Sequence, residues 1–225
     1  MINRVDIKER AKEVFSQNYW KLVGIVLVGC LLAGAASILT TRFSSITDLL
    51  KGKKIETVST SSNWSVLSLP YTIFVGNVIS VGLAKICLAA YRGEEYEMRD
   101  LFYYFSGGRY MRVVGAMALC TLFVGIGLLL LIVPGIIAAL GLSRVMYLLV
   151  DDPAISGMDA IRTSWEIMKG RKGEFFVFVL SFIGWLLLTV VTLGIVGVFY
   201  SNPYMDISLA GYHDELMKSS STAEF

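Results

Sequence analysis

Charge is scarce in this chain. Asp, Glu, Lys and Arg make up 17% of its 225 residues, against about a quarter in an ordinary soluble domain. A basic surplus is missing as well. The net charge is +2, and the basic residues lie at the edges of apolar blocks rather than along one stripe, which leaves no footprint for nucleic acid. Cysteine occurs at Cys30, Cys87 and Cys120 only, each inside an apolar block. The odd number and the missing spacing motif argue against a disulfide framework and against a metal centre, so the three read as small packing residues. His213 is the lone histidine and has no ligand cluster around it in sequence, so no metal or cofactor is expected. A cleavable leader is not expected either: residues 1–19 are polar and charged, and the first apolar block is too long for a signal-sequence core.

What the chain has in quantity is apolar sequence gathered into blocks. Hydrophobic residues make up 55% and the mean hydropathy is +0.65. A helix needs about 20 apolar residues to cross a hydrocarbon layer of about 30 Å, and several blocks meet that length. The first runs from about Trp20 to Thr41, the second from about Ser65 to Ala90, with Pro70, Asn77 and Lys85 inside it. Val113 to Val150 is too long for one crossing. Pro134-Gly135 at its middle predicts a turn, because proline removes a backbone donor and breaks a helix. Phe175 to Tyr200 is the last long run, with a possible turn at Thr192-Leu193-Gly194 and a return through VGVFYSNPYMDISLAGYHDEL. Asn202, Pro203 and Asp206 interrupt that return, so hydropathy alone leaves five or six crossings open.

Between blocks lies the most legible helix. Asp152-Pro153 and Ser156-x-x-Asp159 offer start signals, Gly170 a stop, and Ile155, Met158, Ile161, Trp165 and Met168 an apolar stripe opposite Arg162, Glu166 and Lys169. It is too polar to span and is expected to lie in the interface, with Trp165, Lys169, Arg171 and Lys172 as anchors at the level of anionic headgroups. The alternative is a helix packed on a soluble partner domain.

A weak internal repeat favours six crossings. Tyr19-Trp20-Lys21-Leu22-Val23-Gly24 and Tyr110-Met111-Arg112-Val113-Val114-Gly115 share Tyr-x-basic-aliphatic-Val-Gly. Trp20 and Tyr110 thus read as interface anchors, and the segment before Phe175 as a third copy. The exits match too: AAYRGEE, YLLVDD and AGYHDEL pass from apolar to acidic. The expected architecture is an all-α polytopic membrane protein of three helical hairpins, about 1–95, 96–153 and 154–218, with interfacial amphipathic helices and a flexible tail at 219–225. Under this scheme one side carries fourteen Lys or Arg, from Arg4 to Lys218, and the other only Arg42, Lys51, Lys53 and Lys54. That asymmetry places both termini in the cytoplasm.

Arg92-Gly93, Leu101-Phe102, Pro134-Gly135-Ile136, Asp151-Asp152-Pro153, Ala160-Ile161, Ser164, Met168-Lys169-Gly170, Leu180-Ser181-Phe182-Ile183-Gly184-Trp185, Thr192-Leu193-Gly194-Ile195 and Pro203-Tyr204-Met205 resemble a family of bacterial integral membrane proteins known as domain of unknown function 975. The resemblance is densest from Asp151 to Leu216. It implies a multi-pass protein of a bacterial cell membrane, and it supplies no activity, substrate or catalytic residue.

Ionisable groups inside spans are where function would sit. Lys85, Arg144 and Asp206 lie six residues before Tyr91, Val150 and Tyr212, at equivalent places in the three units. One reading is an internal Lys85–Asp206–Arg144 cluster, with Asn77 beside it; the other is that Lys85 and Arg144 reach to the headgroups on their long stems. Asp151-Asp152 and Glu94-Glu95 read as caps or solvated turns rather than an acid–base couple. Ser164 and Ser181 have no base nearby in sequence. A non-enzymatic membrane component that assembles with or regulates another membrane protein is therefore expected, self-association included. A small permease or channel using the intramembrane charges is the alternative.

Overall fold

The computed structural model describes residues 3–33 and 70–221. Among them every regular element is a helix. The Arg42–Asn63 loop and the rest of the first apolar block lie outside the described residues.

Helix α1 (Arg4–Gln17) starts where the Asn3 side chain accepts a bond from the Val5 N–H at 3.2 Å. Ile7, Ala11 and Phe15 recur every four residues and are its buried face. After Asn18 the chain bends by 97° into α2 (Tyr19–Ala33). Helix α3 (Thr72–Arg92) opens with a single π turn, Thr72–Gly76. Gly76 keeps α2 close, since a Cβ there would stand 3.2 Å from the Ala33 carbonyl. Gly93 ends α3 at φ 80°, a left-handed position that glycine takes without steric cost.

A short 3-10 helix, Met98–Phe105, folds back along α3. Leu101 is fully buried, and its carbonyl oxygen leaves no room for any side chain at Gly82. Helix α4 (Arg109–Leu130) follows. Repeat symmetry expects Tyr110 to open it at the Arg92 end of α3. Instead its hydroxyl donates to the Phe74 carbonyl at 3.0 Å, near the opposite end, while Arg112 reaches the Pro153 carbonyl at 3.1 Å. Helix α3 therefore lies inclined across the start of α4.

The turn expected at Pro134-Gly135 falls earlier, at Leu131, whose backbone is extended (φ −162°, ψ 147°). Pro134 sits in the first turn of α5 (Ile132–Leu142), where a missing N–H costs nothing because the first donors of a helix have no internal acceptor. Gly135 makes the reversal tight: a Cβ there would stand 2.7 Å from the Leu128 nitrogen. After Ser143-Arg144 the chain continues as α6 (Val145–Asp151). Helix α7 (Gly157–Ile167) is capped as its sequence predicts, Ser156 Oγ accepting from the Asp159 N–H at 3.2 Å and Gly170 adopting φ 78°. Its buried face is Ala160, Ile161 and Ser164. Met158 and Trp165, expected on the apolar stripe, are 43% and 41% exposed.

Helices α8 (Lys172–Leu180) and α9 (Ile183–Val191) lead to the turn expected at Thr192-Leu193-Gly194. Leu193 takes φ 52° and Gly194 φ 90°. A π turn, Gly197–Ser201, then opens α10 (Asn202–Ser221), which continues three residues into the stretch expected as a tail. Ring pairs mark the return: Trp185–Tyr200 at 4.7 Å, Phe182–Tyr204 at 5.7 Å and Phe178–Tyr212 at 5.0 Å.

Polarity and burial run opposite to a soluble core. Helix α10 carries Asp206, Ser208, His213 and Asp214, yet Ile207, Ser208, Tyr212 and His213 are wholly buried. By contrast only 17% of the apolar stretches Arg109–Leu130 and Lys172–Val191 is buried. Leu129, Val191 and Leu193 are 88%, 78% and 93% exposed. Apolar surface of this extent is stable only against other apolar matter. Four of the described helices are long and apolar enough to cross a membrane, and five if the bent α1–α2 pair is one span.

Candidate functional site

Two helices end beside a third. Arg92 closes α3, Asp151 closes α6, and His213 and Asp214 lie on α10 just past Tyr212. Asp151 is shared: it accepts from Arg92 Nη1 at 2.9 Å and from His213 Nε2 at 2.8 Å. Arg92 Nε also donates to Asp214 at 2.8 Å, and Lys218 Nζ lies 2.8 Å from the other Asp214 oxygen. His213 is fully buried and stacks on Tyr147 with ring centroids 5.1 Å apart. Burial pushes the Asp214 carboxyl up, but the bonds from Lys218 and Arg92 outweigh it and hold the group below its usual range. The result is an ionic clasp joining residues 59 to 122 positions apart.

Asp151 was expected as a cap or solvated turn and His213 as an isolated exit residue. The signal was present in the repeat: Arg92, Asp151 and His213 each follow directly on Tyr91, Val150 and Tyr212, the positions from which the units align. Equivalent exits carry complementary charges, and the fold brings them together.

The charges expected inside spans are used differently. Lys85 Nζ pairs with Asp100 on the 3-10 helix at 2.9 Å and lies 3.6 Å from the Tyr103 ring centroid. At Asp100, burial pushes the carboxyl up, and the Glu97 N–H and Lys85 together hold it down. Arg144 meets no carboxylate among the described residues. It is 1% exposed, donates to the Leu209 carbonyl at 3.1 Å and to Ser143 Oγ at 3.3 Å, and its guanidinium lies 4.2 Å from the Phe175 ring centre, with Tyr147 and Tyr212 alongside. Three aromatic faces take the place of a counter-ion. Asp206 has no ion pair or hydrogen bond among the described residues. It is within electrostatic reach of Cys30, Cys87 and Tyr147. Asn77 opens the α-helical part of α3 after the π turn and is half-buried. So Lys85, Arg144, Asp206 and Asn77 are not joined by direct bonds.

The expected anchors are dispersed. Trp20 is 77% exposed and Lys169 is exposed, whereas Arg171 donates to Ser219 Oγ at 2.7 Å and Lys172 Nζ lies 3.2 Å from the Trp165 ring centre. The two serines are committed to structure: Ser164 donates to the Gly141 carbonyl at 2.7 Å, and Ser181 bonds the Phe178 carbonyl while accepting from Lys8. A cleft of about 210 Å³ opens beside the clasp, lined among others by Lys85, Arg92, Glu95, Asp100 and Asp151. Of its charged side chains, Lys85, Arg92, Asp100 and Asp151 are paired, and Glu94 and Glu95 have no ion-pair partner among the described residues.

Over residues 114–220 the chain matches the model of a family described as "Protein of unknown function (DUF975)". Neither a curated protein nor a solved structure matches it.

Proposed function

We propose that this chain, whose residues 114–220 match the model of the DUF975 family, is a non-enzymatic membrane component that assembles with, or regulates, another membrane protein. The observation that carries the reading is how the ionisable side chains are used. Arg92, Asp151, His213 and Asp214 tie α3, α6 and α10 together, and Lys85–Asp100 ties the 3-10 helix to α3. Chemistry on a substrate needs such groups to converge on open space; here they converge on one another.

The topology that goes with this reading has six crossings. The pairs are α2 with α3, α4 with α5–α6, and α8–α9 with Gly197 to Tyr212, and both termini lie on the cytoplasmic side of a bacterial cell membrane. The basic excess on that side supports it, as does the joining of the three exits by the clasp. Impermeant thiol labelling of single cysteines in a cysteine-free background tests it. Lys218→Cys should label only after lysis and Leu193→Cys in intact cells. Labelling of Lys218→Cys from outside overturns the scheme. Gentle detergent extraction then tests the role, since a stoichiometric membrane partner is expected.

A small permease is the second reading, favoured by two buried-side charges without counter-ions, Arg144 and Asp206. It requires that Asp206→Asn abolish solute flux in vesicles while the fold is retained.

A further inference from the structure

Helix α7 is pinned to its neighbours at both ends. At its start, a Cβ on Gly157 would stand 3.0 Å from the Ala116 methyl of α4. Further along, Ser164 bonds the Gly141 carbonyl of α5, and the Trp165 ring lies so close to Gly141 that no side chain fits there. Helices α4, α5 and α7 leave a gap beside these contacts. They enclose an apolar groove of about 370 Å³ lined by Phe123, Ala138, Leu142, Ile161 and Trp165, with Arg162 and Glu166 at its edge.

The groove changes character along its length. One end opens onto the bare apolar flanks of α4 and α5, where Leu122, Phe123, Ile126 and Ile137 are 43–56% exposed. The other end meets two opposite charges. Arg162 and Glu166 are four residues apart, hence neighbours on one helix face, yet neither has an ion-pair partner among the described residues. Lys172 adds a second cation above the Trp165 ring. An occupant must therefore be apolar at one end and carry both signs of charge at the other.

We propose that this groove holds one acyl chain of an aminophospholipid, its phosphate facing Arg162 and Lys172 and its primary ammonium facing Glu166. The inference rests on the membrane reading above and narrows it to a specific lipid site. The local balance is two cations and one carboxylate, which a phosphate alone would leave with Glu166 opposed, whereas an ethanolamine headgroup satisfies all three. A choline headgroup carries the same charges but cannot donate hydrogen bonds to the carboxylate. Trp165 suits the depth of such a headgroup, with an apolar ring and a polar N–H.

Trp165 is also the reporter. The test uses the full chain with Trp20, Trp64 and Trp185 changed to Phe, placed in phosphatidylcholine vesicles containing brominated-acyl phosphatidylethanolamine, phosphatidylglycerol or phosphatidylcholine. A companion protein carries Leu130→Trp as its sole tryptophan, and helicity by circular dichroism confirms that each protein is folded. The expected result is quenching of Trp165 by the ethanolamine lipid at roughly three- to fivefold lower mole fraction than by the choline lipid, the size of an exposed charge contact. Glu166→Gln and Arg162→Gln should each remove that preference, and Ala138→Phe, which fills the groove, should reduce quenching by every lipid. Equal quenching by all three lipids, unchanged by Ala138→Phe, overturns the groove and leaves the membrane reading standing. A preference for phosphatidylglycerol that survives Glu166→Gln overturns the headgroup assignment. Quenching at Leu130→Trp but not at Trp165 means that protein, such as a second copy, covers the groove, which also overturns it. Failure to quench either reporter sinks the membrane reading itself.

Discussion

Replacing Asp151 by alanine should open the clasp. The substitution removes the acceptor of two bonds, from Arg92 at 2.9 Å and His213 at 2.8 Å. A hydrogen bond to a charged group contributes about 1.5–3 kcal/mol, and a buried donor left without a partner costs about 1–3 kcal/mol. His213 is fully buried, so its Nε2–H would be stranded; Arg92 is 30% exposed on its side chain and keeps Asp214. Solvent screening discounts the Arg92 share, and the net loss comes to about 3 kcal/mol. For a chain of this size that lowers the unfolding midpoint by roughly 8 °C, measurable by circular dichroism in a mild detergent. Asp152→Ala is the comparison. Its carboxylate bonds only the neighbouring Ala154 N–H at 2.8 Å, a local cap worth about 1 kcal/mol. A double mutant with His213→Ala should lose about 1–2 kcal/mol less than the sum of the single losses, because both remove the same bond. Strict additivity, or a midpoint lowered no more by Asp151→Ala than by Asp152→Ala, would refute the shared-acceptor geometry.

Gly82→Ala should destabilise by about 3 kcal/mol or prevent folding, since its methyl meets the Leu101 backbone. Gly24→Ala, with nothing within 4 Å of the new methyl, should be neutral or stabilising by up to about 1 kcal/mol in the same melts. Leu193→Gly should stabilise by about 1 kcal/mol, because a fully exposed leucine at φ 52° bears left-handed strain that glycine lacks; an unchanged midpoint counts against that strain. Acid should loosen the protein through Asp214 and Asp100, whose carboxyls are held below the ordinary value of 3.8. A depressed folded pKa gives stability that is fully present above the unfolded value and is lost as pH falls through the folded one. The melting midpoint should therefore drop below about pH 4, and Asp100→Asn with Asp214→Asn should flatten the drop. Arg144→Met should leave stability unchanged or raise it by up to about 2 kcal/mol, because a buried cation without a carboxylate partner gives way to an apolar chain of similar volume; a loss above 3 kcal/mol would show that the aromatic cage and the Leu209 carbonyl more than repay its desolvation.

The apolar blocks, the Ser156–Asp159 cap, the Gly170 stop and the Thr192-Leu193-Gly194 turn were legible in sequence because each depends on residues a few positions apart. Backbone donors at a helix end find their acceptor within one turn, and an apolar run declares its solvent by composition. The misplaced turn at Leu131 shows the limit of even that rule. A proline three residues into a helix is tolerated as readily as one that ends it, and only the close passage of Gly135 by Leu128 decides between them.

Which charges meet was settled by the tertiary structure. Lys85 and Asp206 stand at equivalent places in the repeat, but Lys85 is claimed by Asp100 because the 3-10 helix folds back over Gly82. Arg144 is claimed by a backbone carbonyl and aromatic faces because α8 and α10 close around it. The exits at Arg92, Asp151 and His213 gave only matching positions in sequence; their contact depends on how three helices tilt and rotate, which sums many side-chain packings rather than following from any one. Short-range geometry is written in neighbouring residues, whereas the pairing of ions across 59 to 122 positions is a property of the packed whole.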